Sequence, residues 1–334
     1  RMVPVPALQD CDIACRFYLR HPADAMKQNF IHPALAYVLP ALAGLALPLT
    51  AHAAPPAACA HISHDSVQDS AQGASYTGLV VSTGDGRSTL HAAHMQFAAP
   101  AGSSPDSVHA MAEAASLLLL SSVTGQHNAA CSSWLSEQGT AAQAILASGK
   151  SVGMSWKSAS IVVGTAQVSV GTAQLQLQGR TGTGRSAATL NLGGLHYHNV
   201  ANQGLLPTQA HAAFSIPVNE LPALLAAIGG RSTAAPAVPV DIAELRAAQK
   251  DSVLSGHGQE TLTGDVSATS ASGHLEISNL EGLISTARAE GQIKLATALV
   301  LARLVSHRSG NANTWDTSWS SGVLTVNGFP LPIK

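Results

Sequence analysis

Apolar residues recur at every second position through much of the chain after Ser151. The clearest stretches, residues 167–170, 174–178 and 189–192, alternate Val or Leu with Ser, Thr, Gln or Asn. Successive side chains of a strand point to opposite faces, so this spacing predicts strands with one apolar and one polar face. The predicted fold class is α+β: a large, mostly antiparallel, one-sided (amphipathic) β-sheet with short covering helices and an N-terminal helical segment.

Helical signals are concentrated before this region. Ser104 followed by Pro105 is typical of a helix N-terminus and predicts a helix that continues to Leu120. A second helix is predicted over 129–146, and a strand, turn and strand are predicted upstream, over 78–95. Residues 54–150 are therefore expected to form an N-terminal β-hairpin plus helices, ahead of an antiparallel β-rich domain over 151–334.

Short helices are also predicted within the β-rich region. One covers 219–228 and another covers 296–305. A third is predicted over 241–250, because Asp241 and Glu244 have the spacing of a capping box.

Two segments near the C-terminus are similar to each other. Residues 271–277 and 289–295 place Ala, Gly and two aliphatic residues at the same relative positions. This similarity predicts one strand of a repeated hairpin-like unit in each segment. A closing strand with a turn at Asn327-Gly328 is predicted over 319–333.

These patterns resemble those of a known family. They comprise the alternating strands, the connectors Pro207-Thr208-x-Ala210 and Pro217-x-x-x-Leu221-Pro222, the strand pair at Gly273 and Gly291, and the ending Gly322-Val323-Leu324-Thr325-Val326-Asn327-Gly328-x-Pro330-Leu331. Over about residues 155–334 the chain resembles a family of exported alphaproteobacterial proteins, whose pattern is itself similar to AsmA-like envelope proteins. The resemblance implies an envelope location and a lipid-compatible β surface, and it transfers no functional residue.

The segment 26–53 has the layout of a secretory signal peptide. Met26 and Lys27 precede an apolar stretch, and Ala51 and Ala53 suit a signal peptidase. The alternative is a membrane anchor over 30–49, which prolines interrupt. We therefore expect cleavage after Ala53, a periplasmic product without a stable transmembrane anchor, and a non-native upstream extension at residues 1–25.

Two cysteines, Cys59 and Cys131, remain after such cleavage. Because thiols oxidise in exported proteins, we expect these two to form a disulfide. The alternative is two separate buried thiols.

Composition limits the classes of partner that the protein can bind. The formal net charge is −2, with charged residues at 11% and aromatic residues at 4%. A chain without a basic stripe has no electrostatic footprint for nucleic acid. With few large side chains, the fold needs extensive β pairing or broad apolar faces.

Few residues are candidates for catalysis, phosphate binding or metal binding. The loop at 179–186 is one residue away from a P-loop, but it lies between two predicted strands and is better explained as a hairpin connection. His196 and His198 would share a strand face, and His61, His64 and Asp65 could hold a metal loosely, yet no site with a third firm ligand is predicted. The carboxylates Glu276, Glu281 and Glu290 are expected on strands with alternating polarity, on the face exposed to solvent. We predict no metal, no cofactor and no enzymatic activity.

The sequence thus favours a non-enzymatic exported envelope protein that binds a lipid, or another apolar envelope component, on its sheet, or that docks to another envelope protein. The predicted ligand-binding residues are Val168, Val170, Leu175, Leu177, Leu190 and Leu192. One alternative is a purely structural scaffold, in which helices cover this face. Another is a hydrolase of envelope polymers, which requires a His beside a carboxylate.

Overall fold

The structure is a computed structural model, and it describes residues 54–230, 236–262 and 269–331. The predicted extension and signal peptide lie outside the described residues. In the described chain, fifteen strands form one sheet, and every strand pair is antiparallel. The predicted α+β class with a large antiparallel sheet is confirmed.

The sheet is largely a meander, in which each strand pairs with the next along the chain. The strands are β1 (Ala60–Ser63), β2 (Ser66–Ser70), β3 (Gly73–Thr83), β4 (Ser88–Ala98), β5 (Ser151–Val163), β6 (Ala166–Gly179), β7 (Arg185–His198), β8 (Gln209–Pro217), β9 (Val238–Gln249), β10 (Ser252–Leu262), β11 (Ser270–Ser278), β12 (His307–Ser309), β13 (Ala312–Ser320), β14 (Val323–Val326) and β15 (Phe329–Leu331). The spatial order is β1-β3-β4-β5-β6-β7-β8-β9-β10-β11-β13-β14-β15, with β2 beside β3 and β12 beside β13.

Within the described ranges, helices interrupt the meander at three places. They are α1 (Pro105–Thr124), α2 (Ser132–Ala147), α3 (Leu221–Gly229), α4 (Leu280–Ala289) and α5 (Ile293–Leu304). The Ser104 side chain accepts a hydrogen bond from the backbone N–H of Ser107, which satisfies one of the free donors at the start of α1. The helices predicted to begin at Ser104, to span 129–146 and 219–228, and to cover 296–305 are all present.

The two faces of the sheet differ in polarity across ten strands. Directly opposed residues of antiparallel strands point to the same face. One such row runs from β3 to β13 through Ala74, Phe97, Met154, Leu175, Leu190, Ala212, Leu245, Gly256, Leu275 and Trp315. The neighbouring row, on the opposite face, runs through Ser75, Gln96, Ser155, Gln174, Asn191, His211, Arg246, Ser255, Glu276 and Thr314. The sheet is therefore one-sided.

Helices cover the two ends of the apolar face. At one end α1, α2 and α3 (the N-terminal cover) pack over β3 to β6 and over parts of β8 and β9. At the other end α4 and α5 (the C-terminal cover) pack over β11, β13 and β14. Each cover is joined to the sheet by a tryptophan: Trp156 donates from Nε1 to the Ser116 hydroxyl of α1 at 2.9 Å, and Trp315 donates from Nε1 to the Ala302 carbonyl of α5 at 2.8 Å.

The alternation of apolar and polar residues shifts by one position at one point in each of five neighbouring strands, β3 to β7. These points are Gly78, Ala93, Ser158, Gly171 and Gly194, and the regular strand pairing skips each of them. Buried residues lie three positions apart on either side, as with Val170 and Ala173 on β6. The apolar face is continuous across these points, so 167–170 and 174–178 belong to one strand rather than two.

Two predictions for the C-terminal half are wrong. The segment 241–250 is largely strand β9, not a helix, because β8 and β10 pair with it on both edges. These ladders outweigh the local capping-box preference. The repeat fails as well: 271–277 lies in β11, whereas 289–295 joins α4 to α5.

The carboxylates at Glu281 and Glu290 consequently do not lie on strands. Glu281 is in the first turn of α4, and Glu290 follows its last residue. Only Glu276, on β11, has the expected strand position.

Candidate functional site

The apolar face between the two covers is the candidate site. It consists of two rows across β7, β8, β9 and β10, which we call the central face. The rows are Leu190, Ala212, Leu245 and Gly256, and Leu192, Ala210, Ala247 and Leu254. Three inter-strand spacings make it about 14 Å wide.

Exposure together with packing distinguishes the central face from its flanks. All eight residues are partly exposed, although each lies in the interior of a strand. At the flanks, the same apolar row is buried at Phe97 and at Trp315, and its partly exposed members Leu175 and Leu275 pack against core clusters. Leu190, Leu245 and Leu254 belong to none of the three core clusters formed by the described residues. Their apolar surface is therefore available to a ligand.

The predicted ligand-binding residues are divided by this arrangement. All six lie on the apolar face, but five of them (Val168, Val170, Leu175, Leu177 and Leu192) are part of the first core cluster or pack against it. Leu190 alone of the six lies in the central face and outside every cluster of the described chain.

Of the eight residues of the central face, only Leu190 and Leu192 are among the ligand-binding residues predicted from the sequence. The β9 residues of the central face fall in the segment predicted to be a helix. The alternation of Val238, Val240 and Ile242, and of Leu245 and Ala247, is the sequence pattern that indicates a strand there. A β-bulge obscures that signal, because the register with β8 and with β10 shifts near Ala243.

Glu260 places a carboxyl group on the apolar side of β10, two rows beyond the central face and beside Val240 of the second core cluster. It lies on β10 two residues beyond Gly258, directly opposite Val240 and Ala271. Burial raises the pKa of this carboxyl group. No group in the described ranges donates a hydrogen bond to it. Glu260 thus offers a hydrogen-bonding and ionisable group to whatever occupies the neighbouring apolar surface.

A second cluster of polar groups lies beneath the N-terminal cover. Tyr76 of β3 is buried, and its ring packs edge-on against His64 and His109. His109 of α1 approaches Asp69 with 2.6 Å between Nε2 and Oδ1. Tyr76 Oη and Glu113 Oε2 are buried and have no hydrogen-bond partner among the described residues.

Burial dominates the electrostatics of this cluster. It raises the pKa of Glu113 to about 7, against a smaller opposing effect of His109. Burial, followed by the charges of Glu113 and Asp69, raises the pKa of Tyr76 as well. Near neutral pH, Glu113 is therefore divided between its neutral and charged forms.

Of the remaining candidate groups, His64 belongs to the polar cluster through its contact with Tyr76, whereas His196, His198 and the loop at 179–186 lie elsewhere. His196 and His198 share the polar face of β7, exposed as predicted. No group of three or more metal-ligating side chains occurs within the residues that the structure covers.

The loop at 179–186 is the connection between β6 and β7, and Arg185 within it pairs with Asp241 at 2.7 Å across the strands. A P-loop needs a helix after the loop, and here a strand follows.

One helix of the described chain, α1, is long and apolar enough to span a membrane by length and composition. Half of that window is buried in the protein, where α1 contacts β3, β4 and β5. The core helix of a soluble protein has the same properties.

Comparison of the chain with protein-family models, with curated proteins and with solved structures finds no match.

Proposed function

We propose that the protein is a non-enzymatic component of the periplasm or cell envelope that binds a lipid, or another amphipathic envelope molecule, on the central face. The observation that carries this proposal is the partial exposure of Leu190, Leu245 and Leu254 in the middle of an otherwise covered apolar face. Exposed contiguous apolar surface in strand interiors is costly in water, and it marks binding sites in soluble proteins.

The chemistry of the central face favours a linear apolar chain with a polar end. Half of its eight residues are Ala or Gly, which keep the surface shallow, while Glu260 adds one polar group two rows further along β10. A ligand that lies along β10, across the rows, would bury apolar area against the leucines and present its polar end to the carboxyl group.

Two observations support an extracytoplasmic location. Cys59 and Cys131 form a disulfide, which confirms the predicted pairing, and disulfides persist mainly in oxidising compartments. The signal-peptide layout of 26–53 and the resemblance to exported AsmA-like envelope proteins point the same way. Export and membership of that family remain parts of the proposal.

The test is native mass spectrometry of the protein purified from a bacterial host after export, together with L254Q and S255Q. Leu254 and Ser255 are neighbours on β10 and lie on opposite faces, so the two variants differ in which face changes. We expect bound amphiphile in the wild type and S255Q, and its loss in L254Q. Repeated absence of any bound amphiphile from the wild type would favour the scaffold alternative.

The hydrolase alternative draws on one specific observation. His109 lies beside Asp69, and both are close to Tyr76, which gives the His and carboxylate pair that this alternative requires. The His residues singled out from the sequence, His196 and His198, have no carboxylate partner among the described groups. A screen against envelope polymers tests the alternative: an activity abolished by H109N and retained in H196N would support it.

A further inference from the structure

The six large hydrophobic residues that are exposed in the described chain all occur within its last forty described positions. They are Ile293, Leu295, Leu301, Leu304, Val323 and Phe329. Four of them belong to α5. This helix therefore presents apolar side chains to solvent although another side of it already packs on the sheet.

The exposed side of α5 is a stripe. Ile293, Thr297, Leu301 and Leu304 follow one another at spacings of four, four and three residues, which places them on one side of a helix. Leu304 is 74% exposed and Ile293 is 61% exposed. The buried side carries Ala296, with Leu299 and Val300 packed against the C-terminal cluster.

Phe329 extends the stripe beyond the end of the helix. It lies on β15 opposite Val326, which is part of the cluster under α5. The Asn327 side chain donates a hydrogen bond to the Val305 carbonyl just after α5, so the β14–β15 turn adjoins the C-terminal end of the helix. Phe329 is 60% exposed.

The charge around the stripe is positive. Residues 280–309 contain four Lys or Arg residues and two carboxylates, whereas the whole chain has a net charge of −2. The basic residues Arg288, Lys294, Arg303 and Arg308 are all exposed. Arg303 is paired with Glu281. Apolar residues flanked by Lys and Arg are typical of helices that lie in the surface of an anionic bilayer.

We propose that the stripe of α5, together with Phe329, docks this protein on the surface of a membrane that contains anionic lipids. The leucines and Phe329 enter the boundary between head groups and acyl chains, and the basic residues lie among the anionic head groups. The helix keeps its packing on β13 and β14, so docking needs no rearrangement of the sheet. This surface is separate from the central face, and it does not depend on ligand binding there.

Hydrogen–deuterium exchange of the full-length protein tests the docking locally. Phosphatidylcholine vesicles with about 30% phosphatidylglycerol are compared with pure phosphatidylcholine vesicles. We expect slower exchange in peptides that cover 293–304 with the anionic vesicles, unchanged exchange in peptides that cover α2, and loss of the effect in high salt because ions screen the head groups.

The variant L301E/L304E should lower the apparent affinity for anionic vesicles about tenfold, as measured from the protection of α5. The control is A144E/A147E, which adds the same charge at two exposed positions of α2 and should keep the affinity within about twofold. Absence of protection in wild-type α5 with anionic vesicles would overturn the proposal. It would also be overturned if protection appeared without vesicles as the protein concentration rises, because α5 would then contact a second copy of the chain. Neither result bears on ligand binding to the central face, which is measured without vesicles.

Discussion

Leu245 of β9 lies directly opposite Gly256 of β10, and the two are the seventh and eighth residues of the ten-residue apolar row that reaches from Ala74 to Trp315. A side chain faces a glycine there, and both residues are partly exposed. Gly256 has no room for a Cβ, because the carbonyl oxygen of His274 would be 2.7 Å away. The shallow centre of the apolar face is thus fixed by the close approach of β10 to β11.

Truncation of the central leucines should cost little stability. We expect L245A and L254A each to lower the free energy of unfolding by about 1 kcal/mol or less, because these side chains are partly in water already. The control L90A removes a fully buried side chain and should cost about 2–5 kcal/mol. Urea unfolding measures all three. Costs at Leu245 and Leu254 equal to that at Leu90 would mean that the central face is covered.

The one-sided sheet could be predicted because its periodicity is local. On β6 the residues Gln174 to Gln178 alternate without interruption, and the polar and apolar rows follow directly from that spacing. The same local periodicity predicts that Val168 and Val170 lie in a different strand from Leu175 and Leu177. It could not recognise that a phase change at Gly171, matched in the neighbouring strands, joins them into one strand.

The candidate site could not be predicted because it depends on distant contacts. Leu245 was assigned to a helix from the spacing of Asp241 and Glu244, and only pairing with β8 and β10 makes this segment a strand. Whether an apolar residue is covered also depends on where the helices pack. Leu177 and Leu190 have the same local pattern, but only Leu177 packs against core clusters.

Gly179, at the start of the loop that resembles a P-loop, should be essential for packing rather than for phosphate binding. A Cβ at this position would lie 2.0 Å from the backbone oxygen of Leu146 at the end of α2. We expect G179A to cost about 2–3 kcal/mol of unfolding free energy, since backbone must move.

The matched control is G153A on β5. Its Cβ would meet nothing closer than 3.8 Å, so this change should be neutral or stabilise by up to about 1 kcal/mol. Thermal or urea unfolding distinguishes the two. Equal effects of the two substitutions would refute the contact between α2 and Gly179.

The disulfide should contribute substantially to stability. It joins Cys59, beside β1, to Cys131 at the start of α2, across 72 positions of the chain. Loss of a crosslink that closes such a loop raises the entropy of the unfolded state, so C59A/C131A should cost about 2–5 kcal/mol.

Denaturant unfolding of this variant measures the cost. Alkylation of the unreduced, denatured wild type followed by mass spectrometry provides the control, because Cys59 and Cys131 should remain unmodified until a reductant is added. Modification of both cysteines without a reductant would contradict the pairing.

Glu260 should give the central face a preference for cationic amphiphiles. An ammonium group beside this carboxyl group would form a charge-assisted hydrogen bond, which a hydroxyl group matches only weakly. We expect the wild type to bind dodecylamine several-fold more tightly than dodecanol near neutral pH, and E260Q to bind the two about equally. Isothermal titration calorimetry measures this, with E276Q, on the opposite face, as the control. An unchanged preference in E260Q would exclude contact between Glu260 and the polar end.

Glu113 should make the protein less stable as the pH rises from about 4.5 to about 7. Burial raises the pKa of Glu113 to about 7 in the folded state, whereas the ordinary value is 4.5. Between these values the folded protein binds the proton that the unfolded chain has lost, so the contribution of this group to stability is greatest below pH 4.5. That contribution falls with rising pH and is constant above about pH 7.

The total change from this group should be roughly 1–3 kcal/mol, since Glu113 is partly exposed. Urea unfolding at pH 5 and pH 8 measures it, as the difference between the wild type and E113Q. The variant has no carboxyl group to ionise, so it should lose less stability than the wild type over this range. E137Q, which changes an exposed side chain of α2, should retain the wild-type dependence. An identical pH dependence in the wild type and E113Q would mean that Glu113 ionises in water and that the polar cluster under α1 is not buried.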